Sequence, residues 1–370
     1  MVRYDALTFD TQVIETNSFH FDGGLLAQLK QFRERPLRVI VSSIVEAEVV
    51  QHLADKTRAA RDGLQSARKK AADYGLEELA AAPRIDTRAL AAQRFEAFLD
   101  QCGAEIVTPD NVPLREVVHR YFAEEPPFGK AKKKSEFPDA IALLSLEDWA
   151  KREGARVLAL SGDADWVAYG KTSSLIDVID DLAEALELLQ EQAPAEEAEA
   201  LVSGFLTSIS LSGDPSARSK FDEMLDRLFA ELGIEAVAES SYHVETIQTD
   251  VMYSEYEVAA DRDEVTIVHV DERSITAQVE FDVTVDVEAE LAFSIYDSLD
   301  KDYTGIGSAD VSSSFTLGVP LLLYFSRESE AEAPASVRLD RIEWPDAPRF
   351  IELGYVDPRQ ERPDDDGYEL

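Results

Sequence analysis

One cysteine, Cys102, occurs in 370 residues. A single thiol closes no disulfide and builds no thiolate metal site, so a reducing cytoplasm is the expected compartment. Long hydrophobic runs are also missing. No window approaches the roughly 18 apolar residues of a membrane span, so no membrane association is expected. The opening residues, Met1 to Asp10, show no basic stretch followed by an apolar one, and no secretory leader is expected. The histidines His20, His52, His119, His243 and His269 have no ligand spacing and are given structural roles. No internal repeat is visible. Positive charge is scarce: 36 Lys+Arg stand against 74 Asp+Glu, a net charge of −38.

The apolar fraction is 45%, enough for a full hydrophobic core and against wholesale disorder. Charge is unevenly spread. Residues 1–190 hold 24 Lys+Arg and 32 Asp+Glu, whereas residues 191–370 hold 12 and 42. The second half therefore repels polyanions, and a nucleic acid would have to meet the first half.

Pattern divides the chain in the same place. In residues 1–191, short apolar runs alternate with helical periodicity. Strands are expected at Ala6–Phe9, Leu37–Val41, Glu105–Val107, Arg156–Leu160 and Leu175–Ile179. A helix capped by Ser43 carries Val45, Val49 and Leu53 on one face, and a helical region follows over Asp55–Ala81. Further helices are expected at Thr87–Gln101, Leu114–Phe122, Pro138–Glu153 and Leu182–Leu189. Strands alternating with helices imply a parallel sheet with helices on both faces, a three-layer α/β fold.

Residues 192–200, containing APAEEAEA, read as a linker. Residues 201–356 read as an acidic α+β domain with a mainly antiparallel sheet. Its helix is Ser216–Leu232. Its strand candidates are Glu264–Val270, Ser274–Val287, Glu288–Ile295, Ser312–Phe325 and Val337–Ile342. Residues 357–370 are polar and read as a flexible tail.

Four segments of the first half place an acid just after an apolar strand or early in the helix that follows one. Asp10 ends the first strand in FDTQVI. Glu46 and Glu48 lie in SSIVEAEVV; they are about 200° apart on a helix, so only one of them faces a given cleft. Glu48 shares its face with Val45 and Val49. Asp139 opens a helix in EFPDAIALL. Asp163 and Asp165 follow RVLAL in SGDADW, where one can cap the short helix while the other serves the site. In a parallel sheet these segments open at one edge, and their side chains can converge. Convergent carboxylates repel and need a cation; oxygen donors without cysteine or an organised histidine set point to Mg²⁺ or Mn²⁺.

These segments resemble the motifs of the PIN-domain family, which includes VapC-type toxin ribonucleases. Asp10-Thr11-Gln12 stands where that family has Asp-Thr/Ser-Asn, with glutamine replacing asparagine. Ser42-Ser43 with Glu48 resembles its second motif, Pro138-Asp139-Ala140 its third, and Ser161-Gly162-Asp163-Ala164-Asp165-Trp166 its fourth, all in order. A helical insertion separates the second and third motifs. The resemblance implies a PIN-like fold over residues 1–191 and cleavage of RNA, or alternatively DNA, at one or two divalent ions held by Asp10, Glu48, Asp139 and Asp163. It implies a hydrogen-bonding role for Ser161, and a toxin-like or controlled RNA-processing role.

Lys130, Lys132, Lys133 and Lys134 form the densest basic run, a few residues before Asp139, and are the candidate phosphate contacts. The acidic second domain is expected to take a regulatory or basic protein partner, and homodimerisation is a further expectation. The competing function is a PIN-like scaffold without catalysis. A haloacid-dehalogenase phosphatase would need a second aspartate where Gln12 stands.

Overall fold

The computed structural model describes residues 3–75, 85–129, 136–210, 213–259, 265–299, 302–328 and 336–358. The chain divides into two compact units, Met1–Glu191 and Gln192–Leu370.

The first unit opens with β1 (Ala6–Phe9), α1 (Thr11–Thr16), α2 (Gly24–Gln28) and a 3-10 turn over Leu29–Glu34. Then come β2 (Arg38–Ser42), α3 (Ser43–Asp73) and α4 (Thr87–Cys102). β3 (Glu105–Val107), α5 (Leu114–Ala123) and α6 (Phe137–Glu153) follow, and β4 (Val157–Leu160), α7 (Ala164–Gly170), β5 (Ile176–Ile179) and α8 (Leu182–Leu188) complete the unit. The strands stand in the order β3-β2-β1-β4-β5, every pair parallel. Right-handed crossovers in this order put helices on both faces of the sheet, as the alternating pattern required. The chain winds one way from β1 to β3, then returns to β4 beside β1. The crevice beyond the carboxyl ends of β1 and β4 is therefore the topological switch point, the usual ligand position of such sheets.

All four residues of β1 are buried. The neighbouring core is aromatic, with Phe21 stacked on Phe98 at 4.8 Å between ring centroids and Phe95 beside both. The helix after β2 is one continuous element of 31 residues, and its cap is Ser42, not the expected Ser43: the Ser42 hydroxyl accepts from the Ile44 amide at 3.3 Å. Beyond Leu53 and Ala54 the helix buries no further residue. Its basic residues form the wet face, with Arg58 paired to Asp55 and Arg61 to Asp62. The end of the expected Asp55–Ala81 helix lies partly outside the described residues.

In the second unit, α9 (Gln192–Ile209) and α10 (Pro215–Leu232) pack on a sheet whose long strands are β7 (His243–Val258), β9 (Ser274–Asp297), β10 (Asp302–Glu328) and β11 (Ser336–Glu343). The sheet order is β11-β10-β9-β7, and β8 (Thr266–Val270) also pairs with β9. β6 (Glu235–Glu239) and β12 (Phe350–Tyr355) make a separate parallel pair, so the antiparallel expectation holds for the main sheet only.

β9 alternates strictly from Ala277 to Phe293. Ile275, Val279, Phe281, Val283, Val285, Val287, Leu291 and Phe293 are buried, while the intervening positions carry Glu280, Asp282, Asp286, Glu288 and Glu290 on the other face. Much of the acidity of this half thus lies on one wet sheet face. Acids meet directly across strands at Asp250–Glu288 and Glu257–Asp282, an arrangement that costs stability.

Three expectations are corrected. Ser274–Val287 and Glu288–Ile295 are one strand. Its partner β10 starts ten residues before the expected Ser312. Residues 192–200 are not a loose linker but the first half of α9, whose Ala198 and Val202 are fully buried. The apolar positions Ala198, Leu201, Val202, Phe205, Leu206 and Ile209 recur at helical spacing and pack into the core of the second unit, with Phe205 at 5.1 Å from Phe325. Of the expected tail, residues 359–370 lie outside the described residues.

Val202→Asp tests this correction, because a flexible linker would tolerate the change. The buried charge should destabilise the second unit by about 3 kcal/mol, read as lost hydrogen-exchange protection in β9.

Candidate metal-binding active site

Because β1 and β4 are parallel and in register, with Phe9 opposite Leu160, the next residues of the two strands emerge side by side. These are Asp10 and Ser161, both buried. Ser161 donates its hydroxyl to Asp10 Oδ2 and accepts from the Asp163 amide at 3.0 Å. Asp10 Oδ1 accepts from the Val13 amide at 3.0 Å and so caps α1. Burial pushes the Asp10 carboxyl above the usual carboxylate range, and the Asp163 charge adds to it, while the bonds from Ser161 and Val13 oppose. The capping role and a place at the cleft coexist in one side chain.

Glu48 reaches the same place from α3, where its Oε2 accepts from the Thr11 hydroxyl at 3.0 Å. Glu46 sits two residues earlier, about 200° round the helix. Asp139 comes from the first turn of α6, where Pro138 occupies a position that needs no amide donor. Its Oδ1 accepts from the Trp166 indole at 3.1 Å. Burial, followed by the charges of Glu48, Asp163 and Asp10, pushes Asp139 up to about 6 against the pull of that hydrogen bond. Asp163 caps α7, with Oδ1 accepting from the Asp165 amide at 2.7 Å. Asp165 is also raised, by burial and then by Asp163 and Glu136.

Asp10, Glu48, Asp139, Asp163 and Ser161 thus belong to one group, with Asp165 at its margin. Lys130, Lys132, Lys133 and Lys134 lie outside the described residues. Three participants were missed as such. Trp166 reads as a core anchor and is fully buried, but its indole nitrogen also holds Asp139. Glu136 is a buried acid whose Oε2 accepts from the Gly129 amide at 3.0 Å, a contact that local sequence does not announce. Gln12 lies over the β4–α7 turn: a Cβ on Gly162 would stand 3.3 Å from Gln12 Oε1, so the glutamine and this glycine are fitted to each other.

The donors available are all oxygens, which suits Mg²⁺ or Mn²⁺. The four acids also crowd their charges with no basic group among the principal influences on Asp139. As the side chains stand, no three His, Cys, Asp or Glu residues among the described residues are close enough to hold one ion.

A parallel sheet in 3-2-1-4-5 order places these acids at its switch point. Residues 7–166 match the family described as PIN domain, and the N-terminal unit belongs to that family. PIN domains are generally nucleases and generally use divalent metals. No curated protein and no solved structure matches the chain. Among the described residues no helix is long and apolar enough to cross a membrane.

Asp139 provides a test in the metal-free protein. Its folded-state pKa is raised, so between the ordinary aspartate value and about 6 the native state holds a proton that the unfolded chain has lost. The ionised group therefore penalises the fold progressively across that interval and fully above it. Asp139→Asn, neutral and isosteric, should melt higher than wild type at pH 7.5 in chelator, and the gap should close near pH 4.

Proposed function

We propose that the N-terminal unit is a metal-dependent endonuclease that hydrolyses phosphodiester bonds, with RNA as its substrate and DNA as the alternative. The supporting observation is the concentration of acid charge on Asp139 from three separate elements, α3, β1 and the β4–α7 turn, at the switch point of a PIN-family sheet. In this reading Asp10, Glu48, Asp139 and Asp163 hold Mg²⁺ or Mn²⁺. Such an ion supplies charge neutralisation on the scissile phosphate and a water of lowered pKa.

The chain's own contribution is orientation. Ser161 aims Asp10, Thr11 aims Glu48, the Trp166 indole aims Asp139, and the Asp165 amide aims Asp163. Hydrogen bonds to ligating groups set both their direction and their basicity. Beside Glu48, a groove between α3 and α6 is lined by Ile44, Gln51, His52, Phe137, Pro138 and Ile141. It offers a largely apolar wall for a base, while Lys130, Lys132, Lys133 and Lys134 serve the phosphates in this reading. The acidic C-terminal unit, unable to share a polyanion, acts as a regulator or receives a basic protein partner. Control of that kind suits a toxin-like or RNA-processing enzyme in the cytoplasm.

One observation favours the second reading, a scaffold without catalysis: no three of the acids are already within reach of one ion. Cleavage separates the two. Purified full-length chain with Mn²⁺ should cut end-labelled single-stranded RNA. Asp10→Ala and Asp139→Ala should abolish the activity, and Ser161→Ala should lower it about 10–100-fold. Replacing the four lysines by alanine should raise KM with kcat little changed. Absence of cleavage of RNA and DNA by the wild type, or equal cleavage by Asp139→Ala, rejects the nuclease.

A further inference from the structure

Both walls of the groove between α3 and α6 begin at the acid group. Glu48 lines the α3 wall, and on the α6 wall Phe137 and Pro138 stand immediately before Asp139. The groove has a volume of about 380 Å³, inside the range of roughly 300–1,000 Å³ typical of small-ligand sites. Its lining is mainly apolar, and Ile44, Phe137, Pro138 and Ile141 are only half-buried, so each keeps surface for a ligand. The Phe137 ring is held by two others, Tyr121 at 5.0 Å and the buried Phe128 at 5.1 Å between centroids. A half-exposed aromatic ring fixed in this way is a ready stacking surface for a base.

The polar groups along this groove are acceptors. Glu48 is a carboxylate. Gln51 spends its amide nitrogen on Asp55 Oδ2 at 2.8 Å, which leaves its carbonyl oxygen. His52 lies one helical turn beyond Glu48, about 6 Å along the axis. Its Nδ1 is 3.2 Å from Glu15 Oε1 on α1, and its side chain is 45% exposed. A carboxylate beside Nδ1 fixes the tautomer: Nδ1 carries the hydrogen, and in the neutral ring Nε2 keeps its lone pair. Among the described residues no hydrogen bond takes Nε2.

We propose that this groove takes one unstacked base of a single-stranded substrate, beside the phosphate at the acids, and that His52 selects the base. Phe137 stacks on it, and His52 Nε2 accepts from its exocyclic amine. Adenine and cytosine carry an amino group where guanine and uracil carry a carbonyl. A carbonyl at that edge meets acceptors only, and a site built to hydrogen-bond an amine discriminates against it. Glu15 is a positioning residue: it holds the ring and does not touch the base. A duplex keeps its bases stacked and paired, so it is a poor substrate for such a groove. The inference rests on the nuclease reading for its occupant, and binding without cutting separates the two.

The test is to cut single-stranded RNA of random sequence with the full chain and Mn²⁺ at pH 8.5 and to sequence the ends. At one position beside the cut, adenine and cytosine should exceed guanine and uracil about fivefold. His52→Ala, at an exposed position, should bring that ratio close to one with cutting retained. Glu15→Gln, which releases the ring, should relax the ratio in the same direction. Phe137→Leu should weaken cutting at all four bases alike and leave their order. Binding is read separately in chelator, by fluorescence anisotropy of labelled pentaadenylate, pentacytidylate and pentauridylate; the first two should bind more tightly than the third, and His52→Ala should level them. Cutting without base preference, a preference for guanine and uracil, or a preference unchanged in His52→Ala overturns the proposal. No cutting, with selective binding that His52→Ala abolishes, removes the nuclease reading and supports the base site. Neither cutting nor selective binding overturns both.

Discussion

Mutual repulsion among carboxylates that the parallel sheet forces together is the constraint on which the N-terminal unit turns. Strand direction does the forcing. β1 and β4 run the same way in register, so Asp10 and the SGDAD turn leave the sheet at the same height, and α3 and α6 bring Glu48 and Asp139 to meet them. The unit manages that repulsion with donors: a serine hydroxyl, a threonine hydroxyl, an indole and backbone amides each hold one acid. Holding is only partial compensation: burial first, and the neighbouring acids after it, keep Asp10 and Asp139 raised. A cluster kept at this cost to stability is the usual mark of a working site.

The C-terminal unit deals with the same kind of charge in the opposite way. Its acids sit at alternate positions of long strands, where the pleat sends them all to water while valine, leucine and phenylalanine fill the core. Four of them, Asp250, Glu288, Glu290 and Asp310, line one open pocket of that unit. Their effect is a strongly negative field over one sheet face.

Legibility in the sequence followed how local each cause was. The order of strands and helices in the first unit could be read because apolar runs and helical spacing are uninterrupted there, and the four acids stand out as candidates because each lies just after such a run or early in the helix that follows one. Glu48 is preferred to Glu46 in the sequence because it shares a face with Val45 and Val49, but its contact with Thr11, thirty-seven positions away, is not legible there. Trp166 as a hydrogen-bond donor and Glu136 as a buried acid were hidden for the same reason. In the second unit the losses were of register. β7 contains two bulges, at Thr246/Gln248 and at Tyr253/Glu255, and each flips the inward face, so the period of two that marks a strand never runs long enough to be seen. α9 was concealed by composition: its first residues are alanine, glutamate and proline, and the apolar spacing that buries it begins only at Ala198.

The central claim is that the acids at the switch point share a hard cation, and Mn²⁺ binding measures this directly. Titration of the full chain followed by electron paramagnetic resonance should show loss of the free-ion signal as Mn²⁺ is taken up, with Mg²⁺ competing for the same site. The double variant Asp10→Asn, Asp139→Asn should leave the ion free. Uptake by that variant equal to wild type, or no uptake by wild type at millimolar Mn²⁺, contradicts the account.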